Sequence, residues 1–535
     1  MDSPPFLMAA GALPSEDFGP EAQACVLEAD QPLSKSILWR AQRDYFEREG
    51  IAAWSAPAVP HYVTTNPSLV HAIAQTVLGY WRDCHASPSS GPLHILELGA
   101  GSGRFAYLFL RAMLELCARV PSRDVRFKYV MTDLAGSNLA FWRTHPSLRP
   151  FVDAGWLDFA LFDVEKDDGL VLSESGTPLQ PGSFDGPLAV IANYVFDSVP
   201  QDAFAVSEGQ LHECLVTVLT DPQAPGVGTT GVFSQMRLHY SHRLAGFDHY
   251  PEPEFNQLLR GYASTLDGTT VLLPTVALRC VERLAALAKG RLLLISADRG
   301  FVHEKELAGR EDPQLSVHGS FSLPVNYHAF CQWFRAKGGL ALHTAHRQLS
   351  LHTCAFILGE PAAHAEETCF AYHLAFEGAG FDDFFRLRQG IESQYSMLEV
   401  EHILALLRLS RYDPRILRDC VPVLMMHAGS LSPMERQELA DVVSRVWENY
   451  FHIGEARDLP FEFAGLLHTL GEPTAALALF QESLCLYGED PRTFWNMALC
   501  AVALKRPDEA ARFLARTWAL APDFNPGIAL LSKDG

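Results

Sequence analysis

Three glycines in five residues, Gly99-Ala-Gly101-Ser-Gly103, sit at the end of an apolar run and constrain this chain more than any other feature. The run Leu93-His-Ile-Leu-Glu-Leu98 predicts a buried strand through Ile95, Leu96 and Leu98, and a helix is expected from Phe105 to about Cys117. Glycines at such a turn let the backbone take positive φ and let a ligand approach the main chain closely. Glu97 discriminates between ligands. A phosphate loop has no use for a carboxylate just ahead of it, whereas a loop for a cationic sulfonium does. Glu-x-Gly-x-Gly-x-Gly therefore points to S-adenosylmethionine over a dinucleotide. The Gly-x-Gly-x-x-Gly spacing fails at Arg104 and Phe105, and no Gly-Lys-Ser/Thr completes a P-loop.

The strands that follow each end on a polar residue. Val125–Asp133 ends on a carboxylate about 30 residues after the loop, the distance of one βαβ unit, where an acid can accept from ribose hydroxyls. A short strand from Trp156 ends on Phe162-Asp163; the aspartate can accept from an exocyclic amine and the aromatic can stack on a purine. Pro187–Asn193 is apolar throughout, as a strand buried on both faces should be, and leads into Asn193-Tyr-Val-Phe-Asp197-Ser-Val-Pro200. Four polar strand ends in series mark the carboxyl edge of an open α/β sheet, where ligands bind.

On these residues the chain resembles class I S-adenosylmethionine-dependent methyltransferases. The match narrows to the MidA-like group, which includes a mitochondrial complex I assembly factor. His61-Tyr-Val-Thr64-Thr65-Asn66-Pro67 is similar to that family's Phe-x-Thr-Ser-Pro-Glu segment, Asn193–Pro200 to its Asn-Glu-x-x-Asp-Ala-x-Pro, and Gly209–Glu213 to its Gly-x-Trp-x-Glu hairpin. Leu292–Gly300 matches a strand ending Ile-Asp-Tyr-Gly more weakly, and His318–Asn326 echoes a further segment. The resemblance spans roughly residues 35–358. It implies a Rossmann-like sheet with an N-terminal helical lid, S-adenosyl-L-methionine as the methyl donor, and a protein or peptide substrate, since characterised members methylate protein arginine. One departure matters: the family's glutamate after the strand-four asparagine is Tyr194 here, which removes a natural partner for a guanidinium.

At 535 residues the chain needs more than one domain. Residues 1–34 are punctuated by Pro and Gly and read as loosely ordered; 35–360 form the α/β domain. After Gly359 strand signals stop: 361–456 read as a helical linker or bundle, and 457–535 as tetratricopeptide-like repeats. The repeat evidence is two stretches of 34 residues, Arg457–Asp490 and Pro491–Phe524, that align small residues (Ala464 with Ala498, Ala476 with Ala510) and a large one (Phe480 with Leu514). Two repeats do not make a stable solenoid, so the helices before them are expected to supply neighbouring layers. A net charge of −21 argues against nucleic-acid and anionic-membrane partners. Eleven scattered cysteines without a Cys-x-x-Cys pair fit reduced thiols, and the start of the chain carries no basic n-region; a cytoplasmic protein is expected.

Methyl transfer is an in-line displacement, so the protein must align nucleophile and methyl and, for an amine, take up a proton. Asp197 is the candidate to orient a cationic nitrogen or accept its proton, Asn193 to align donor or nucleophile, and Tyr194 to wall the acceptor pocket or simply to pack. For the donor the candidates are Glu97, Gly99, Gly101, Gly103, Asp133, Phe162 and Asp163, with Thr64, Thr65 and Asn66 reaching in from a lid, unless Asn66-Pro67 is only a turn. Arg104 has two readings, a partner for the donor's carboxylate or a surface residue. His318 reads as a buried structural histidine. His239-x-x-His242 and His343-x-x-His346 are the close histidine pairs; no Cys or carboxylate cluster completes either, and no metal is expected. The sequence thus reads as a methyltransferase acting on a side-chain nitrogen of a protein or peptide, arginine being one option, with the helical repeats recruiting substrate. A small-molecule methyltransferase and a degenerate, non-enzymatic scaffold are the alternatives.

Overall fold

A computed structural model describes residues 25–55, 62–84, 91–119, 125–220, 231–345, 351–378 and 380–525. His61, His346 and residues 221–230 lie outside these residues. In chain order the principal strands begin with β1 (Cys25–Pro32), β2 (Leu93–Leu98), β3 (Phe127–Asp133), β4 (Leu157–Leu161), β5 (Leu188–Asn193) and β6 (Asp202–Ser207). They continue with β7 (Gln210–Thr220), β8 (Met236–Ala245), β9 (Thr269–Leu273), β10 (Leu292–Asp298), β11 (Leu340–Leu342) and β12 (His352–Leu358).

A seven-stranded sheet runs β11–β12–β10–β5–β2–β3–β4. β4, β3, β2, β5 and β10 are mutually parallel, and β12 is antiparallel to both β10 and β11. β5 lies between β2 and β10 and is buried up to its terminal Asn193, which is why its sequence is a continuous apolar run. The chain leaves β2 for β3 on one side and later returns to β5 on the other. The carboxyl ends of β2 and β5 therefore form a topological switch point, the place where open α/β sheets hold ligands.

The hairpin expected at Gly209–Glu213 belongs to a second, five-stranded sheet. β6 and β7 form a hairpin closed by Glu208 and Gly209, both at positive φ (53° and 73°), the two-residue turn that matches strand twist. β8 pairs one edge of β7, β1 and β6 pair successive parts of the other, and β9 pairs β6. β1 corrects the expectation of a loose segment through residue 34. It is held by backbone pairing with β7 through register shifts and is largely exposed, so it carries no apolar alternation to read.

The lid follows β1. Ser36 caps helix α1 (Ile37–Glu49), accepting from the Leu38 amide, and Glu28 of β1 accepts from the Ile37 amide at 2.8 Å. The next long helices are α2 (Pro67–Cys84) and α3 (Arg104–Ala118).

Beyond residue 360 the chain is helical. α4 (Glu366–Phe376) packs so closely on α2 that a Cβ on Gly79 would lie 2.6 Å from the Glu367 carbonyl. Asp83 at the end of α2 accepts from the Glu367 and Thr368 amides (3.0 and 2.8 Å) and the Thr368 hydroxyl (2.6 Å), capping α4 across the seam. Tyr372, Phe376, Phe451 and Ile453 belong to the same core as Ile95, Tyr129 and Leu293. The core of the sheet domain thus continues past the boundary expected at 360. A separate core joins α5 (Val400–Leu409), α6 (Pro414–His427), α7 (Pro433–Glu448), α8 (Leu459–Leu470), α9 (Pro473–Tyr487) and α10 (Pro491–Ala503), with α11 (Pro507–Leu520) against α10. Ala464, Ala476, Ala498 and Ala510 are all buried, so the helices approach each other at the small residues of the repeat. All eleven cysteines are free thiols. No helix among the described residues is long and apolar enough to cross a membrane.

Candidate functional site

The glycine loop is pinned from below. All three glycines take positive φ: 58° at Gly99, 51° at Gly101 and 81° at Gly103. Asp133 at the end of β3 accepts from the Gly101 amide at 3.0 Å and from the Ala135 amide at 2.9 Å, and the Trp142 indole donates to the Gly101 carbonyl at 2.9 Å. The glycines serve different ends. A Cβ on Gly101 would lie 2.8 Å from the Trp54 indole across the cleft, whereas one on Gly103 would press into Met131 and Trp142 in the core. Gly103 is therefore a packing requirement, and Gly99 and Gly101 are the two that line the cleft. Glu97 lies beneath them, buried, and accepts from the Tyr129 hydroxyl at 2.9 Å. Burial pushes its carboxyl up to about 8; the Tyr129 hydrogen bond opposes this and the charge of Asp133 adds to it.

The opposite wall comes from the end of β5. Among the described residues, neither the nitrogen nor the oxygen of the Asn193 amide has a hydrogen-bond partner, although both atoms are buried. Tyr194 takes φ 54°, a left-handed conformation costly for a bulky residue, while its amide donates to the Ala297 carbonyl at 3.0 Å. Asp197 sits in a 3₁₀ turn (Phe196–Ser198) and accepts from the Ser198 hydroxyl at 2.8 Å; its side chain caps no helix. Burial raises its carboxyl to about 6, against the Ser198 hydrogen bond and the Arg299 charge. Its neighbour Asp298, at the end of β10, is wholly buried and raised further, by burial first and by the charge of Asp197 second. Asp298 accepts from the Phe196 amide at 3.3 Å and the Tyr327 hydroxyl at 3.4 Å, while its other oxygen is unpartnered. Two neighbouring buried carboxyls disfavour each other's ionised form.

The cleft between these walls has two lobes that share Phe46, Trp54, Gly99, Tyr194 and Ser198. One, of about 130 Å³, brings Glu97, Asn193, Tyr194 and Asp197 together with Thr64 and Thr65. Sequence reading missed Trp54, Arg299 and Ser320 in its lining; His318 was noted, with a structural role put ahead of a catalytic one. His318 Nδ1 and Ser320 Oγ are buried there without partners. The other lobe, of about 150 Å³, is lined by Asp133, Phe162 and Asp163. Asp163 occupies the expected place but is already engaged. Arg43 of α1 pairs with it at 2.7 Å and Lys166 at 3.0 Å, and together they hold the carboxyl below its ordinary range although burial works the other way. Besides lining this lobe, it ties α1 to the sheet domain. The expectation for Asn66 is corrected. It accepts from the Leu69 amide at 3.0 Å and donates to the Val63 carbonyl at 2.7 Å, so it caps α2 and does not line the cleft. Arg104 turns away from the cleft, pairing with Glu455 and donating to the Phe451 carbonyl at 2.8 Å.

A third cavity, of about 300 Å³, adjoins the cleft through Trp54 and Thr65 and lies between the sheet domain and the helices, with Tyr62, Arg415, Tyr450 and Phe451 in its walls.

Residues 467–533 match the family model of the tetratricopeptide repeat. No curated protein matches the chain. Among solved structures it is similar to an uncharacterised protein from Burkholderia thailandensis, at 14% identity and a TM-score of 0.40, over 64% of this chain and 90% of that one. It is also similar to a second member of the same superfamily from Burkholderia thailandensis, inferred to be a methyl transferase and solved with S-adenosyl-homocysteine, at 16% identity and a TM-score of 0.38, over 66% of this chain and 86% of that one.

Proposed function

We propose that this chain is an S-adenosylmethionine-dependent methyltransferase. The observation that carries the reading is what meets at the switch point: a glycine loop open to a cleft, a buried carboxyl beneath it and, opposite, an amide with no protein partner. The residues fit such a donor. Gly99 and Gly101 line the cleft with main chain, Glu97 offers a carboxylate to a cation, and Asn193 offers one donor and one acceptor that no described residue uses. Asp133 and Phe162 line the lobe suited to a ribose and a base. When bound, the donor supplies an electrophilic methyl group. The chain's own residues do the rest. Phe46 and Trp54, stacked at 6.0 Å, close the cleft against water. Asn193 aligns, and Asp197, ionising near neutrality, takes the proton that a nitrogen must shed.

The MidA-like resemblance in Asn193–Pro200 supports a side-chain nitrogen of a protein or peptide as the acceptor, with the tetratricopeptide-like helices recruiting it. Tyr194 in place of the family's acid leaves arginine as one option among nitrogens. A second reading, a small-molecule acceptor, is favoured by the 300 Å³ cavity that the helices themselves help to enclose. Calorimetry with S-adenosylmethionine and S-adenosylhomocysteine tests the donor: no heat at millimolar ligand defeats the reading. Labelled methyl donor with cell extract, resolved into macromolecular and metabolite fractions, separates the two acceptors.

A further inference from the structure

Among the described residues, one group of Cys, His and acidic side chains has the mutual spacing a metal ion needs, and it lies in the second sheet. Cys214 of β7 and His242 of β8 are register partners, so their side chains share a face. Asp312 reaches them from the stretch between β10 and the hairpin Ser316–Ser322, 70 residues from His242. Asp312 Oδ1 is 3.0 Å from His242 Nε2 and 3.8 Å from Cys214 Sγ, and all three ligand atoms lie within 4.8 Å of one another.

We propose that Cys214, His242 and Asp312 form a zinc site, with the fourth position left to water. A tetrahedral zinc with ordinary bond lengths separates a carboxylate oxygen from an imidazole nitrogen by about 3.3 Å, and from a thiolate sulfur by about 3.6 Å. The two Asp312 separations lie within a few tenths of an ångström of these edges. Thiolate, imidazole and carboxylate together are zinc's donor set; calcium and magnesium take oxygen alone. The Thr270 hydroxyl, 2.9 Å from Asp312 Oδ1, supplies the outer hydrogen bond that holds a ligating carboxylate in place. The side chains of His242 and Asp312 are 40% and 26% exposed, which leaves an entry path to the buried sulfur. The site fastens residues 302–315 to the second sheet. The hairpin that follows carries His318, Ser320 and Ser322 into the cleft, so zinc stiffens that wall whatever reaction the cleft performs.

The test is zinc competition against a chromophoric chelator, on full-length protein stripped of metal and kept reduced. One zinc per chain is expected. Cys214→Ser and His242→Ala should each weaken it by at least the roughly 10–100-fold that loss of an outer-shell partner costs. His242 is exposed, so His242→Ala should fold as wild type by circular dichroism and keeps the test valid if the Cys214 variant does not fold. Cobalt should give a thiolate charge-transfer band that Cys214→Ser lacks. Equal zinc affinity in wild type and His242→Ala, or saturating cobalt without the band, overturns the site and leaves a hydrogen-bonded triad.

Discussion

At the end of β2, the amides of Gly101 and Ala135 rest on Asp133 and the Trp142 indole rests on the Gly101 carbonyl. At the end of β5, the Asn193 amide has no partner, Tyr194 holds a left-handed backbone, and Asp197 and Asp298 crowd two carboxyls together. The first wall is satisfied internally and can serve as a rigid seat. The second carries unmet hydrogen bonds, strain and protons, each of which costs stability and persists only where surrounding packing enforces it. Under the proposed function, binding falls to the loop and chemistry to the turn, and each variant below tests one side of this contrast.

The largest effect belongs to the turn. Asp197→Asn should lower single-turnover methyl transfer by about 10²–10⁴, the usual weight of a general base, while donor affinity stays within a few-fold. Unchanged turnover would make the turn structural and erase the contrast. On the loop, Gly101→Val should abolish calorimetric donor binding, because a branched side chain would meet the Trp54 indole and strain a φ of 51°. Wild-type affinity in that variant would move the seat elsewhere.

Gly103→Ala sharpens the distinction within the loop. Its Cβ would meet Met131 at 3.0 Å and Trp142 at 3.2 Å at a φ of 81°, so denaturant unfolding should show a loss of about 1–3 kcal/mol. The surviving folded protein should still bind donor.

Per pH unit, the smallest effect is that of Glu97 ionisation. Its carboxyl ionises near 8 in the folded chain, against an ordinary 4.5. Between these values the folded state holds a proton that the unfolded state has released, so stability falls as pH rises through this window, by at most about 1.4 kcal/mol per unit. A cationic donor needs the ionised form, so its affinity should rise with pH by up to about tenfold per unit and level off above about 8. Glu97→Gln should flatten both slopes. A wild-type affinity independent of pH from 6 to 9 would remove Glu97 from the seat.

The loop and β5 were legible because their signals are local: glycine spacing for backbone conformation, an unbroken apolar run for burial on both faces. Asn66 was misassigned because Asn before Pro signals a cap and a ligand-bearing lid alike, and the hydrogen bond to Leu69 settles which. Asp163 was correctly placed at its strand end, but Arg43, 120 residues earlier, had taken its carboxylate. Trp54 gave no signal because a lone Trp in a short helix looks like any packed aromatic. The end of the sheet domain was set too early: α4 reads as the start of a helical region, yet its Tyr372 and Phe376 complete the core over α2.

The sequence by itself determined the strands that flank the glycine loop, the positive φ of that loop, and that small residues recur where repeat helices touch. These follow from torsional sterics and from the burial of neighbours a few residues apart. Only the tertiary structure decided which polar groups are spent and which are left over. Asp83 is used on Thr368 and Arg104 on Glu455, while Asn193 is left with no partner and Asp312 reaches Cys214 and His242. The reason is physical: pairing between charged and polar groups depends on separation in space and on shared burial, and chain distance fixes neither.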